Sequence, residues 1–426
     1  MTAEVMLIGL LVLLVMNLPI AVAIGMAAVT AFLVQGDLPL VMVIQRMFAG
    51  IDSFHLMAVP LFMAAGVIME AGGISRHIVA LAQALVGWLP GGLAAVTILS
   101  AMFFAGISGS AAADAVAVGG ILIPAMKTSG YRSDFSAAVL ASGGSIGVVI
   151  PPSIPMIIFG FLTGASIGQL FAAGVLPGVL IAFSLAAVAV FLAGRKGYGA
   201  RQPFQWAELK TTLRQGLWAM GAPLIILGGI FMGIFTASES AAVAVVYAIL
   251  VGRFVYRSLS LKDLGPLFVR AGITAGVVLF IISTASVFSW MAAIEEMPAR
   301  MAGALLNLTH DPVVLLLIVN LFLLVAGTFV ETTAALILLV PMIAAMLPAL
   351  KIDMVQLGVI VVTNLAIGML TPPMGICLIV SGAISGDPIT AVSRRVLPFL
   401  AVLLVDLLLI SFYSPLTMVL ARWAAG

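Results

Sequence analysis

Apolar stretches long enough to cross a membrane follow one another along almost the whole chain. No polar run between them is long enough for a separate soluble domain, and no segment is of low complexity. The pattern therefore predicts an all-α polytopic membrane protein. The most polar connection, 195–216, divides the chain into comparable halves. We interpret it as a cytoplasmic connector between a first repeat at 1–194 and a second at 217–426.

The two halves share a register of glycine and proline residues. They align without a gap at an offset of 221 residues over 72 positions, from Gly106 to Pro177. The ten identities would mean little in a chain rich in Ala, Val and Leu, but Gly and Pro fix unusual backbone. Their common spacing predicts two copies of one supersecondary unit. The matched pairs are Gly106 with Gly327, Gly147 with Gly368, Pro151-Pro152 with Pro372-Pro373, and 175–177 with 396–398.

The distribution of Lys and Arg orients the two copies, because short cytoplasmic loops carry an excess of both. At about 1.5 Å per residue, a single helix over 217–251 would be about 50 Å long, too long for a core of about 30 Å. We place a turn at 236–240 there, and let 93–126 and 315–350 enter and return as re-entrant helical hairpins. Each repeat then has about five spans, and the odd number inverts the second copy, giving two inverted-topology repeats. In this topology the cytoplasmic side holds every Lys and Arg except Arg46, Arg300, Lys351 and Arg422.

Composition agrees with a chain whose solvent is lipid. Hydrophobic residues make up 63% of the 426 positions and charged residues 8%, which excludes a soluble globular protein because so few charges cannot coat it. The lipid bilayer must do so instead. The net charge of +2 argues against a nucleic-acid partner. A single cysteine, Cys377, permits neither an internal disulfide nor a thiolate metal cage, and we expect no cofactor.

Small residues interrupt the apolar run in the middle of each predicted hairpin. The first tip, 106–114, holds two glycines and two serines, and its counterpart, 327–333, carries Glu331 where the first has Ser110. Non-helical backbone at membrane depth is tolerated only where it faces protein or a watery cavity, so the tips predict an aqueous site. The structural alternative is that Ser and Thr only cap helices or pack as small residues. The shared register of two tips favours the site.

A double proline interrupts each of the helices that follow, at 133–162 and 354–383, and makes it a broken helix. Because proline removes a backbone donor and blocks the preceding turn, carbonyl oxygens are left unpaired within a span. Such oxygens suit sodium, and half-helix N-termini at the same level suit a carboxylate. Ser145, Asn364 and Thr371 lie near enough to complete the two shells. A plain proline kink is the alternative for either motif alone.

Charges inside spans are costly and usually functional, which makes four acids candidates. Glu331 ranks first, because it lies on a tip and has no basic residue within a helical turn. Binding the ion, binding the substrate and carrying a proton all remain open for it. Asp114 lies one turn past the first tip, where a hydrogen bond to the loop is the structural alternative. We expect Glu239 to be a loop residue and Asp406 a packing or partner contact.

The sequence Gly106-Ile107-Ser108-Gly109 also matches the Gly-x-Ser-Gly of rhomboid-type intramembrane serine proteases. That chemistry needs a histidine base on a neighbouring span. The predicted topology puts each histidine near a membrane end, so the protease is a remote alternative. Phosphate-binding loops of Walker type are absent from the sequence, and the chain is not expected to be an enzyme. The histidines are His55, His77 and His310.

The motifs at 106–114 and 358–375 resemble the large membrane subunit of tripartite ATP-independent periplasmic (TRAP) transporters, and the resemblance covers essentially the full length. It implies an elevator fold and mechanism, sodium as the coupling ion, and import of an organic acid such as a C4-dicarboxylate or sialic acid. It also implies that the chain lies in the bacterial inner membrane and has two partners, a small four-helix membrane subunit and a periplasmic substrate-binding protein. A stand-alone cation–carboxylate symporter or exchanger of the same architecture is the alternative.

The resemblance also assigns roles to individual residues. Hairpins and broken helices would move as one body against a scaffold of the remaining spans, linked by arm-like segments at 75–88 and 296–308. Substrate contacts would fall on Ser108, Ser110, Ser153 and Glu331. The first sodium site would be formed by Ser108, Gly109, Ser145 and Pro151. The second would be formed by Gly327, Thr328, Asn364, Thr371 and Pro372.

Overall fold

The computed structural model describes residues 2–36, 38–199 and 203–424. Arg201, which the predicted topology places on the cytoplasmic side, lies outside these ranges, as do Met1 and 425–426 at the ends of the predicted repeats. Regular structure in the described residues is entirely helical. Eight of the helical segments are long and apolar enough to cross a membrane, as expected of a polytopic membrane protein.

Ten α-helices precede the central connection, and eleven follow it, within the described residues. The first group is α1 Thr2–Val15, α2 Ile20–Gln35, α3 Val41–Ala49, α4 Ala58–Ala71, α5 Ile74–Val86, α6 Gly92–Ser108, α7 Ala111–Thr128, α8 Ser133–Ser145, α9 Ile154–Thr163 and α10 Ile167–Arg195. The second group is α11 Trp206–Phe231, α12 Ala237–Leu250, α13 Leu261–Ile294, α14 Met297–Leu308, α15 Pro312–Phe329, α16 Thr332–Ala344, α17 Leu347–Leu350, α18 Met354–Gly368, α19 Ile376–Ser385, α20 Ile389–Phe412 and α21 Pro415–Trp423.

The turn between α11 and α12 differs from the sequence prediction. We placed it at 236–240, but the structure begins α12 at Ala237. The reason is a capping box, in which Thr236 Oγ1 accepts a hydrogen bond from the Glu239 backbone N–H and the Glu239 carboxylate accepts one from the Thr236 backbone N–H. Glu239 is therefore a helix-capping residue at an exposed loop, and α11 begins at Trp206, inside the segment assigned to the connector.

The helices pack in two groups. One group is formed by α1 to α4 and α11 to α13, with α13 lying against α2, α3 and α4 and α12 against α4 and α11. The other joins the helix pairs α6–α7 and α15–α16 to α8, α9, α18 and α19. The short helix α5 contacts both α11 and α6, and α14 contacts both α13 and α16. These two helices occupy the segments predicted as arms, and each bridges the two groups.

Two long helices belong to a different group than the sequence interpretation assumed. That interpretation gave every remaining span to the scaffold, but α10 packs on α6 and α18, and α20 packs on α8 and α18. The two helices also contact each other, and Ser184 of α10 donates a hydrogen bond of 2.5 Å to the carboxylate of Asp406 on α20. Asp406 is thus a packing contact, and α10 and α20 lie with the hairpins and broken helices.

An ion-pair cluster joins the two halves of the chain within the group of hairpins and broken helices. The Asp134 carboxylate at the start of α8 lies 2.8 Å from Arg132 and 3.0 Å from Arg395 of α20. Its hydrogen bonds raise the pKa of the Arg132 guanidinium. The ammonium of Lys127 donates to the carbonyl of Ser385, at the end of α19, over 2.5 Å. These contacts therefore join the two halves of the chain.

Candidate functional site

The first tip is a two-residue turn between α6 and α7. Gly109 ends α6 in the left-handed region, with φ at 62°, and Ser110 starts α7. A Cβ atom at Gly109 would lie only 2.6 Å from the carbonyl oxygen of Pro152. Glycine is required here both for its backbone conformation and for its close approach to the first break.

Asp114 holds this tip from within. The hydroxyl of Ser108 donates to the Asp114 carboxylate and accepts a hydrogen bond of 3.1 Å from the backbone N–H of Ser110. Asp114 is fully buried, and its second oxygen, Oδ2, has no hydrogen-bond partner among the described residues. That oxygen lies beside Gly147, where a Cβ atom would approach it to 2.1 Å. The carboxylate thus spans from the tip to the first break.

The first break separates α8, which continues as a short 3₁₀ turn, from α9. Ser153 joins its two ends, since its hydroxyl donates to the Val148 carbonyl over 2.5 Å and accepts from the backbone N–H of Met156 over 3.3 Å. The backbone N–H of Ile154 donates across to the Gly109 carbonyl of the tip over 3.4 Å. Ser153, predicted to contact substrate, is fully buried and serves in the structure as the cap of α9.

The second tip carries its carboxylate at the turn itself. Glu331 is the N-cap of α16, and its side chain accepts hydrogen bonds from the backbone N–H groups of Thr333 and Ala334 over 2.9 and 3.3 Å. The Thr333 hydroxyl donates to it over 3.1 Å. No cation pairs with this half-buried carboxylate among the described residues. The positive end of a helix stabilises the negative charge there.

The second break packs on its tip through bare backbone. A Cβ atom at Gly368 would lie 2.5 Å from the carbonyl carbon of Gly327, so the two helices touch where neither has a side chain. Beyond the break, the backbone N–H of Met374 donates to the Thr328 carbonyl over 3.2 Å. The first half has a similar bond, between Ile154 and Gly109, although the 221-residue register does not match these residues with Met374 and Thr328. Both Pro-Pro bonds, 151–152 and 372–373, are cis.

An amide pair lies beside the second break. Asn364 is fully buried, and its Nδ2 donates to Asn320 Oδ1 over 2.9 Å and to the Ile360 carbonyl over 2.8 Å. Its Oδ1 has no hydrogen-bond partner in the part of the chain that the structure describes. Sequence reasoning missed Asn320, although an amide in the strongly apolar run of α15 was the available signal.

Two predicted sodium ligands are hydroxyls that donate within their own helices. Ser145 donates to the Ser142 carbonyl and Thr371 to the Ile367 carbonyl, so the lone pairs of both hydroxyl oxygens stay free.

The two tip–break pairs are interlocked. The second helix of the first hairpin, α7, packs on α19 of the second broken helix, and α16 of the second hairpin packs on α9 of the first. The hairpins and broken helices of the two halves therefore pack into one group. Four helices begin at a tip or after a break. Of these, α9 is capped by Ser153 and α16 by Glu331, while α7 and α19 have no side-chain cap among the described residues. Uncapped N-termini suit an anion.

A family model matches residues 7–416 and is described as "Tripartite ATP-independent periplasmic transporter, DctM component". The chain is 41% identical over 411 residues to an isethionate TRAP transporter permease protein, DctMQ, of Oleidesulfovibrio alaskensis. That match covers 96% of this chain and 64% of the longer relative. This chain is also 36% identical to the sialic acid TRAP transporter large permease protein SiaM of Vibrio cholerae, over 98% of each chain.

Among solved structures, the Alcanivorax borkumensis YdaH transporter is similar with a TM-score of 0.59 over 87% of each chain, at 16% identity. This likeness concerns the fold alone. The relatives are named as transporter permeases, so the expectation of a non-enzyme is confirmed and the protease reading of Ser108 falls away. The extent of the family match and of the sequence identity shows that the chain belongs to the DctM family, the large permease subunits of TRAP transporters.

Proposed function

We propose that the chain imports an organic acid across the bacterial inner membrane, driven by sodium and working with a periplasmic binding protein and a small four-helix membrane subunit. The observation that carries the proposal is the paired arrangement of hairpin tip and broken helix, with one backbone hydrogen bond from each break to its tip. Irregular backbone inside a membrane protein is characteristic of transporter binding sites at the repeat interface. Family membership supplies the two partners as expectations.

Sodium would be held at the two breaks by oxygen atoms. The donor set is suitable, because Asn364 Oδ1 is buried beside the second break without a partner among the described residues, and the Pro152 carbonyl of the first break lies next to Gly109 of its tip. In the first half, Ser145 and the residues of the Gly109–Pro152 contact are the corresponding oxygen donors. A bound sodium ion supplies positive charge at the site and links substrate movement to the ion gradient.

The substrate would be an organic acid held without a basic side chain. No Lys, Arg or His hydrogen-bonds to Ser108, Ser110 or Glu331 within the described ranges. The uncapped N-terminus of α7 and the two tip serines are the suitable acceptor site for the anionic group. Relatives are named for isethionate, a sulfonate, and for sialic acid, a carboxylate. Either anionic group fits a site made of hydroxyls and N–H groups.

The movement we propose is of elevator type, with revised bodies. Both hairpins and both broken helices would travel together with α10 and α20, which pack on them, against the group of α1 to α4 and α11 to α13. The arms α5 and α14 contact both groups and would flex between them. The cluster of Asp134 with Arg132 and Arg395 supports this division, because it fastens the two repeats within the moving body.

Uptake into proteoliposomes tests the proposal. The chain and its small subunit would be reconstituted with labelled isethionate, sialic acid and C4-dicarboxylates, with the binding protein present or omitted and a sodium gradient imposed or absent. Uptake that needs both additions is expected. Uptake that ignores the binding protein would identify a stand-alone symporter. Uptake driven equally well without sodium would refute the ion assignment.

A further inference from the structure

A basic cavity lies away from the tips, where the arm α5 meets α11. It has a volume of about 620 Å³ and is lined by Lys210, Arg214 and Trp218 of α11, His77 of α5, and Tyr256, which follows α12. The proposed transport function uses none of these residues. The cavity therefore needs an explanation of its own.

The charged wall of this cavity is one face of a helix. Lys210, Arg214 and Trp218 follow at intervals of four residues, so they lie in a row along α11. Neither basic side chain pairs with a carboxylate within the described part of the chain, where the ion pairs involve Arg132, Arg270 and Arg395. The one acid of α11, Glu208, precedes Lys210 by two residues and so points to another side. The cavity thus presents two uncompensated positive charges.

The opposite wall is held by aromatic side chains. The ring of Tyr256 stacks on His77 with 3.8 Å between ring centroids, and its hydroxyl donates to the Gln215 carbonyl over 2.7 Å. Tyr247 binds the Trp218 carbonyl in the same way over 2.7 Å. A π-helical turn at Val251–Val255 leads into this wall, and such turns are frequent at functional sites. The walls are therefore fixed without any ligand.

The cavity lies at the boundary between polar connector and membrane. From Gly216 to its end, α11 is continuously apolar, and Leu217, Trp218 and Leu224 are 50% or more exposed. Exposed tryptophan beside a row of basic residues is typical of the headgroup level of a bilayer. A ligand with a negative head in the cavity would have its apolar part beside these exposed side chains.

We propose that the cavity binds the phosphate headgroup of an anionic phospholipid, with the acyl chains lying along the exposed apolar face of α11. Lys210 and Arg214 attract the phosphate, and basic pockets between helices at the cytoplasmic side suit such headgroups. Inorganic phosphate carries the same charge but has no chain to bury beside Leu217 and Leu224. The arm α5 contacts α6 as well as α11, so the lipid would lie at the contact between this arm and α11.

Lipid binding by the purified chain tests the proposal. Retention of phosphatidylglycerol and phosphatidylcholine would be measured by native mass spectrometry for the wild type and for the double variant K210Q/R214Q. Each basic residue near an anionic headgroup contributes about fivefold, so the variant is expected to bind phosphatidylglycerol about 25-fold more weakly. The matched control is K262Q/R394Q, which removes two exposed charges outside the cavity and should bind like the wild type.

Two further measurements keep the test decisive. Phosphatidylglycerol with brominated chains should quench tryptophan fluorescence in the wild type more than in W218F, which removes the tryptophan of the cavity. Inorganic phosphate at millimolar concentration should not displace the lipid. Equal retention by K210Q/R214Q and its control, equal retention of both lipids, or displacement by phosphate alone would each overturn the proposal. Melting temperatures of all variants check that they are folded.

Discussion

Each tip is a two-residue turn between two helices, Gly109-Ser110 in the first and Val330-Glu331 in the second, and the two differ in where the carboxylate lies. In the first, Asp114 is fully buried one turn into α7 and holds the tip through Ser108. In the second, Glu331 stands at the turn and caps α16 directly. The N-terminus of α7 therefore has an acid in its first turn but no side-chain cap, while that of α16 is capped by Glu331 itself.

This difference separates two tasks within a repeated architecture. An uncapped helix N-terminus with nearby hydroxyls suits the anionic end of a substrate, so we propose the first tip as the substrate site. The second tip adds a carboxylate and, at its break, the unpaired Oδ1 of Asn364, both of which favour a cation. Equivalent positions in a repeat therefore need not share a role.

The largest effect is expected at Glu331. Replacing it with alanine removes both the cap and the charge, and we expect uptake to fall about a hundredfold, as for loss of a hydrogen-bonded charged group. E331S retains a capping oxygen without the charge and should be equally inactive, whereas E331D keeps both and should retain part of the activity. Initial rates of uptake, normalised to the amount of reconstituted protein, give the comparison.

A capping-only role for Glu331 would give a different series. E331S would then transport like the wild type, and only E331A would fail. The matched control is E239A, which removes a carboxylate from the exposed capping box of α12. It should lower the melting temperature only slightly and leave uptake unchanged.

The next effect concerns the close contacts between tip and break. G368A would place a methyl group 2.5 Å from the backbone of Gly327, and G147A would place one 2.1 Å from the Asp114 carboxylate. Overpacking of this kind costs about 1–3 kcal/mol, so both variants should unfold at lower temperature and transport poorly. G368A should be worse, because backbone yields less than a side chain. G120A, with open space around it, is the control.

Unchanged melting and uptake in G368A would show that tip and break are separated in the working protein. The same result in G147A alone would mean that Asp114 can turn away from the break. The two variants together therefore tell whether the halves depend equally on their close contacts.

The sequence predicts the tips and breaks well, because glycine and proline act through local backbone rules. The two-residue turn at Gly109-Ser110 and the interruption before Pro151 follow from residue type alone. The Asp114–Ser108 and Asn364–Asn320 bonds were harder to predict. The first was only an alternative, and the second needs the packing of α15 on α18. Tertiary contacts of this kind leave no signal in the spacing of residues.

The grouping of α10 and α20 was missed for another reason. Helix packing is read from a polar–apolar stripe, but spans are apolar on every side because lipid replaces water. Nothing in the apolar residues of α10 distinguishes a face toward α6 from a face toward α11. Only Asp406, an acid in the middle of α20, marks the contact, and its partner Ser184 is one serine among many.

A smaller effect should separate the two tasks kinetically. N364A removes the unpaired oxygen at the second break, and we expect the sodium concentration for half-maximal uptake to rise about tenfold, equal to about 1.4 kcal/mol. S110A acts at the first tip and should raise the KM for the organic acid by a similar factor. Uptake measured over a grid of both concentrations gives the two constants. If each variant changed both constants equally, the division of tasks between the tips would be wrong.

The smallest effect is expected where the repeats are fastened to each other. Asp134 and Arg395 join α8 to α20 over 3.0 Å, whereas Glu70 and Arg270 join α4 to α13 in the other group over 3.9 Å, with more exposed side chains. Exposed ion pairs contribute little to the free energy of unfolding, and partly buried ones contribute somewhat more. A double-mutant cycle of D134N and R395Q, measured by thermal unfolding, should therefore give a coupling free energy of about 1 kcal/mol between the two side chains. The cycle of E70Q and R270Q should give about 0.3 kcal/mol. If Asp134 and Arg395 belong to one moving body, as we propose, transport rates should follow the amount of folded protein in every variant. A coupling no larger at Asp134 than at Glu70 would mean that helix packing alone unites the repeats.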